Sequence, residues 1–232
     1  MLRIATVLPA LLLLAACNWS ECGDCMTTGG KGPSIEGSGT MKTEIRPVET
    51  FTAITLSDIE SSLLVIERTG AESLSVTAED NLLPLFTSTV QNGTLRLAFA
   101  KGSSFHGKRP TYKITVNDLR ALNIQGGAAI EASKLDSDRL SISVEGAAGG
   151  NLAGRVDNLV LSIRGAGVIS AAGLKAKRGK VTVEGAGQVT VNASDELDAE
   201  VSGAGMIWYI GSPKLKSNVN GVGMITRNPF SS

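Results

Sequence analysis

A glycine corner that recurs at near-constant spacing is the strongest constraint on what this chain can fold into. Gly126-Gly127-Ala128, Gly146-Ala147-Ala148, Gly165-Ala166-Gly167, Gly185-Ala186-Gly187, Gly203-Ala204-Gly205 and Gly221-Val222-Gly223 follow one another at intervals of 20, 19, 20, 18 and 18 residues. Self-similarity at such a period marks stacked repeats, in which each unit buries its apolar face only against its neighbours. Two residues before each corner stand Ile124, Val144, Ile163, Val183, Val201 and Val219, all β-branched. Four residues after its first glycine stand Ile130, Gly150, Ile169, Val189, Ile207 and Ile225. The second repeat breaks that column at Gly150, with Leu152 near enough to fill the interior. Residues two apart in a strand share a face, so each repeat sends aliphatics inward and stacking buries them as one column. The expectation is an all-β chain, a β-solenoid (β-helix) with about 18–20 residues per repeat.

The first glycines of the corners, Gly126, Gly146, Gly165, Gly185, Gly203 and Gly221, have a mechanical reason. A corner between strands needs positive φ or close backbone approach, and glycine supplies both. The competing reading is a phosphate-cradling glycine loop. It fails because there are six copies, none opens a helix and no Lys-Ser/Thr follows. Immediately before the corners stand Gln125, Glu145, Arg164, Glu184, Ser202 and Asn220. With repeats ~4.8 Å apart, Arg164 falls between two glutamates and the three read as an exposed ionic ladder, which outweighs a paired-carboxylate hydrolase site.

Ahead of the repeat, Phe51 to Leu56, Ser73 to Val76 and Thr94 to Leu97 alternate as strands do. Gln91-Asn92-Gly93-Thr94 has the chemistry of a tight reversal. Asn81-Leu82-Leu83-Pro84-Leu85 reads as a helical turn kept short by Pro84. Lys101 to Pro110 reads as a basic loop containing His106, the only histidine. Residues 44–230 are expected to form one domain, and residues 17–43, rich in Gly, Ser, Thr and Cys, a flexible tether. Basic and acidic residues balance at 22 each, which leaves no electrostatic footprint for nucleic acid. Aromatics are only 4% and glycines number 27, so the core must come from small and β-branched aliphatics.

Residues 1–16 read as a signal peptide: Arg3, then an apolar run from Ile4 to Leu14 that is too short to cross a bilayer. Leu14-Ala15-Ala16-Cys17 resembles the bacterial lipobox, whose cysteine sulfur receives diacylglycerol before cleavage. That resemblance implies a membrane anchor on Cys17. Asn18 stands where an aspartate would resemble an inner-membrane retention signal, so the outer membrane is implied, in a periplasmic or a surface-facing position. With Cys17 lipidated, Cys22 and Cys25 remain as an even pair, fit for a small disulfide loop. Their C-x-x-C spacing also occurs in redox centres and half metal sites, but no second CxxC and no βαβ pattern accompanies it. No cofactor or metal is expected.

The chain also resembles the head GIN domain family, the putative auto-transporter adhesins of bacterial exported proteins. The resemblance runs from about Arg46 to Asn228. It rests on Val48-Glu49-Thr50-Phe51 leading into Ile54, on Ala78 to Pro84, on Gly93-Thr94-Leu95, on Ile114-Thr115-Val116, on Leu119 to Ile124, and on the glycine corners. It implies a right-handed parallel β-solenoid with no catalytic residues to carry over. The functional expectation is a non-catalytic binding, adhesin-like or structural module at the cell envelope, whose partner is an envelope protein, a glycan or a second copy. Met206, Trp208 and Met224 mark an interaction surface on the outward column after the corners, unless the Lys101–Pro110 loop covers them. The alternative is a polysaccharide-active β-helix enzyme using acids such as Asp195, Glu196, Asp198 and Glu200. Charge runs of that kind, like Lys175 to Lys180, usually solvate a loop.

Overall fold

A computed structural model describes residues 34–101 and 103–229. Thirteen strands follow in order: β1 (Ser34–Glu36), β2 (Met41–Arg46), β3 (Ala53–Ile59), β4 (Leu63–Arg68), β5 (Ser73–Glu79), β6 (Phe86–Gln91), β7 (Thr94–Phe99), β8 (Ser104–His106), β9 (Thr111–Val116), β10 (Ala121–Gly203), β11 (Met206–Ile210), β12 (Lys214–Gly221) and β13 (Met224–Arg227). One 3-10 turn, Leu83–Leu85, interrupts them, with Pro84 in its first turn. The chain is all-β. Cys17, Cys22 and Cys25 lie outside the described residues.

β10 runs unbroken for 83 residues. Laid straight it would span ~270 Å at ~3.3 Å per residue, so it must fold back on itself, and the glycine column shows where. Gly126, Gly146, Gly165, Gly185, Gly203 and Gly221 all have φ between +119° and +130°. A Cβ on Gly185 would lie 2.4 Å from the carbonyl oxygen of Gly165, and one on Gly165 would lie 2.3 Å from that of Gly146. Each corner therefore rests on the corner one repeat earlier. Ala204 N donates to Gly185 O at 2.9 Å and Val222 N to Gly203 O at 2.9 Å, closing the same contact with hydrogen bonds.

The inward positions behave as one column. Ile124, Val144, Ile163, Val183 and Val201 are fully buried, as are Ile130, Ile169, Val189 and Ile207 after the corners. At the broken position, Gly150 has φ +153° and lies against the backbone of Ile130, while Leu152 is buried two residues on. Around β10 the pairings are parallel: β3 and β4 on one side, β11 and β12 on the other.

The sheet as a whole is mixed. β2 pairs with β5, β5 with β9, and β6 with β7, all antiparallel. An all-parallel arrangement from residue 44 is thus corrected for the segment before the repeat. For β6 and β7 the cause is local: Asn92 (φ +51°) and Gly93 (φ +70°) form a two-residue reversal between them, and a reversal that tight forces antiparallel neighbours. This end also holds the buried aromatics. Phe86 packs on Phe99, Phe105 and Tyr112, with ring centroids 4.9, 5.2 and 6.4 Å apart. Arg46 folds over them, donating to the carbonyls of Phe86 and Leu83.

β1 and the first three residues of β2 lie within residues 17–43, the stretch whose composition reads as a tether. Its anchor is Glu79, whose side chain is buried and accepts from Gly39 N at 2.7 Å and Lys108 N at 2.9 Å. The carboxylate occupies the space where a Cβ of Gly37 or Gly107 would sit. Asn81 adds two bonds, accepting from Ser38 N and donating to Glu36 O. A buried carboxylate held by backbone amides fixes the approaching strand.

Two stability measurements test this description. Gly185→Ala forces an alanine to φ +122° against a carbonyl, and should cost more than about 3 kcal/mol in urea unfolding. Gly93→Ala meets no atom within 4 Å and should cost only about 1–2 kcal/mol, the strain of left-handed backbone alone. Equal losses would remove corner stacking as the cause. The second concerns Tyr112, whose buried hydroxyl has no hydrogen-bond partner among the described residues. Burial pushes its phenol well above the usual tyrosine value, with Arg46 opposing. The folded state therefore keeps the proton more tightly than the unfolded chain, so its stability holds up to pH ~10 and falls as pH rises further. Tyr112→Phe should gain up to about 1 kcal/mol at pH 7 and flatten the alkaline loss in urea titrations.

Candidate functional site

Period-two alternation gives the repeats two outer faces of opposite character. On the strands before the corners, charges line up between successive repeats. Arg164 Nε lies 3.1 Å from Glu184 Oε2, and its Nη1 lies 3.8 Å from Glu145 Oε1. Lys177 reaches Asp157 at 2.8 Å, and Lys216 reaches Asp198 at 3.7 Å. These side chains are well exposed, so each pair contributes at most about 1 kcal/mol. The acids read as an enzyme alternative are drawn into the same ladders. Glu196 stands opposite Lys214, Asp198 opposite Lys216, and Glu200 accepts from Asn218. Asp195 lies beside its neighbour, accepting from Ser194 Oγ at 2.6 Å.

The opposite face, on the strands after the corners, is apolar at its C-terminal end. Met206 lies between Gln188 and Met224 in register, and Trp208 between Thr190 and Thr226. A shallow groove of about 480 Å³ runs along the corners, floored by alanines and glycines, with Val168, Gln188, Met206 and Val222 on its walls. Val168 is 61% exposed, Val222 89% and Met224 52%, whereas Met206 and Trp208 are half-buried. Met206 and Met224 thus come together, and Trp208 sits one column away. Val222 belongs with them and was hidden in the sequence as the centre of a corner; its bulk, where other corners carry alanine or glycine, was the available signal.

The Lys101–Pro110 loop is committed elsewhere. β8 pairs with β1, Phe105 packs on Phe86 and Phe99, and Lys108 N binds Glu79. Its residues do not line the groove, which is walled by the repeats themselves. His106 ends β8, where its carbonyl accepts from Gly37 N at 2.7 Å.

Away from the glycine corners, Arg68, Asp118, Asp136, Asp138, Arg155 and Asp157 surround a polar recess of about 340 Å³. Burial raises the Asp118 carboxyl, but bonds from Ser137 Oγ (2.7 Å) and Arg120 Nε (2.6 Å) outweigh it and hold the group below the usual aspartate range. Arg68 and Arg155 each lie 3.8 Å from Asp136, so that carboxylate faces two guanidinium groups. Among the described residues no cluster of three His, Cys, Asp or Glu side chains is arranged to hold a metal ion. No helix among them is long and apolar enough to cross a membrane.

Among solved structures, a putative adhesin from Bacteroides fragilis is 25% identical, with a TM-score of 0.68 over 84% of this chain and 100% of that one. A putative adhesin from Parabacteroides distasonis is 20% identical (TM-score 0.57; 84% and 100% covered). A putative lipid binding protein from the same species is 21% identical (TM-score 0.52; 84% and 99% covered). No curated protein matches the sequence. The model of the family described as putative auto-transporter adhesin, head GIN domain, matches residues 50–213, and the chain belongs to that family.

Proposed function

We propose that this protein is a non-catalytic binding module of the bacterial cell envelope. In this reading a lipid on Cys17 attaches it to a membrane, and the absence of an aspartate at position 18 favours the outer one. The repeats form a right-handed parallel β-solenoid, a reading supported by the parallel pairings of β10 and by corners resting on corners. The solenoid presents a stiff surface, and its apolar outer face meets the partner.

The observation that carries this is the contrast between the faces. One is laced with ion pairs that satisfy themselves, while the other leaves Val168, Val222 and Met224 in solvent around a groove. Exposed apolar strips of this kind mark contact sites, and methionine adapts to irregular partner surfaces. A glycan would ask for more hydrogen-bonding groups than this strip has, so an apolar protein surface fits best. The Bacteroides fragilis putative adhesin supports attachment as the general role. An enzyme would need carboxylates free to act on substrate, whereas Asp198 and Glu200 are tied to Lys216 and Asn218, and Glu196 stands opposite Lys214.

A photo-crosslinking amino acid at position 224, introduced in intact envelopes, should give a discrete adduct that the same probe at position 164 does not. Adducts of equal yield at both positions, or at neither, would sink the apolar-face reading. For the anchor, a radiolabelled lipid precursor should label the wild type and leave Cys17→Ala unlabelled. Label retained in Cys17→Ala would remove the membrane attachment proposed here.

A further inference from the structure

The stack ends differently at its two ends. At the N-terminal side, hairpins and the aromatic cluster close it under Arg46. At the other side, among the described residues, β12 pairs only with β10, and β13 only with β11. The inward column continues into β12 as Leu215 and Val219, which are 38% and 42% exposed. Leu197 and Val201, one repeat earlier, are 1% and 0% exposed. The outward-facing Met224 donates its amide back to Gly205 O at 3.0 Å. Successive residues of a strand aim their backbone groups at opposite edges. The inward-facing Leu215, Ser217 and Val219 therefore direct theirs at the open edge, a template for one more strand.

Charge says which strand. Lys214 stands opposite Glu196, and Lys216 opposite Asp198. With Gly203 resting on Gly185, the same alignment sets Arg178 and Lys180 against Glu196 and Asp198 from the other side. Both columns run base, acid, base, and then stop at lysines whose outer side is open. We propose that the free edge of β12 takes up an extended acidic segment of a partner protein. Its carboxylates would face Lys214 and Lys216, and its alternate aliphatics would cover Leu215 and Val219. A second copy meeting this edge with its own β12 would lie antiparallel, as a two-fold contact requires, and would offer the lysines no acid, because the joining strand carries none. The edge is separate from the apolar face and stands without it.

The test uses two fluorescent peptides and the full chain. One copies Asp195 to Ser202, a segment whose residues from Glu196 onward already pair with β12 on its other side; its twin has every acid replaced by lysine. In anisotropy titrations the acidic peptide should bind saturably and the twin at least about tenfold more weakly. Lys214→Glu with Lys216→Glu should reverse that preference while leaving the far-ultraviolet circular dichroism unchanged. On binding, amide exchange should slow at Leu215, Ser217 and Val219. Equal affinity for the two peptides, no saturation up to ~1 mM, protection confined to the Met224 face, or a doubled mass without peptide uptake would each overturn the proposal.

Discussion

The contact on which the rest of this structure depends is glycine against glycine. Along the column from Gly146 to Gly221, an added Cβ would lie 2.3–2.7 Å from the carbonyl oxygen one repeat earlier. No side chain fits there, and the φ of these corners is one that side chains avoid. Because the corners touch through bare backbone, successive repeats come within hydrogen-bonding distance, and every column beside them inherits that spacing. The inward column two residues earlier accepts isoleucine, as at Ile163, or valine, as at Val183, because either is β-branched and fills the same buried space. The Glu145–Arg164–Glu184 ladder forms for the same reason, since side chains one repeat apart are held within reach of each other.

Such a column is a nearest-neighbour structure, and its ends are its weak points. The N-terminal end is closed by contacts that are far apart in sequence: Arg46 with Phe86, Glu79 with Lys108, Asn81 with Glu36. These bring large aromatics and a buried carboxylate into a protein otherwise packed with small aliphatics. The C-terminal end has no equivalent among the described residues. Its inward residues Leu215 and Val219 keep the identity of core positions while being partly solvated. One rule of sequence thus yields a core residue in one repeat and a surface residue in the next, depending only on what lies beyond.

This division explains what could be read from the sequence. The corners, the inward columns and the Arg164 ladder were legible because each follows from a local pattern that recurs along the repeats, so one misplaced residue such as Gly150 does not hide it. The Asn92-Gly93 reversal and the turn at Pro84 were legible for their backbone chemistry. The antiparallel order of β2, β5 and β9 was not, because strand alternation says which face is buried and nothing about which neighbour lies alongside. Glu79 was hidden inside a stretch quoted only as a motif, since its partners Gly39 and Lys108 lie 40 and 29 residues away. For the same reason residues 34–43 read as tether: their composition is that of a linker, and their order is supplied by Glu79, Asp80 and Asn81 from another part of the chain.

The repeat constrains inward positions and corners but leaves outward positions free, and recognition can be built only where the fold makes no demand. On the strands before the corners that freedom is used for charge pairs that neutralise one another, which keeps the surface soluble and gives a partner little to hold. On the strands after the corners it is used for Val168 and Met224, which are exposed, and for Met206 and Trp208, which are half-buried. The position of Val222 sharpens the point: a corner centre that elsewhere carries alanine or glycine carries instead a valine 89% exposed, beside the groove and close to Met224. A residue that the stacking rule would keep small is large at the last described corner, beside the groove, which fits the binding face proposed above.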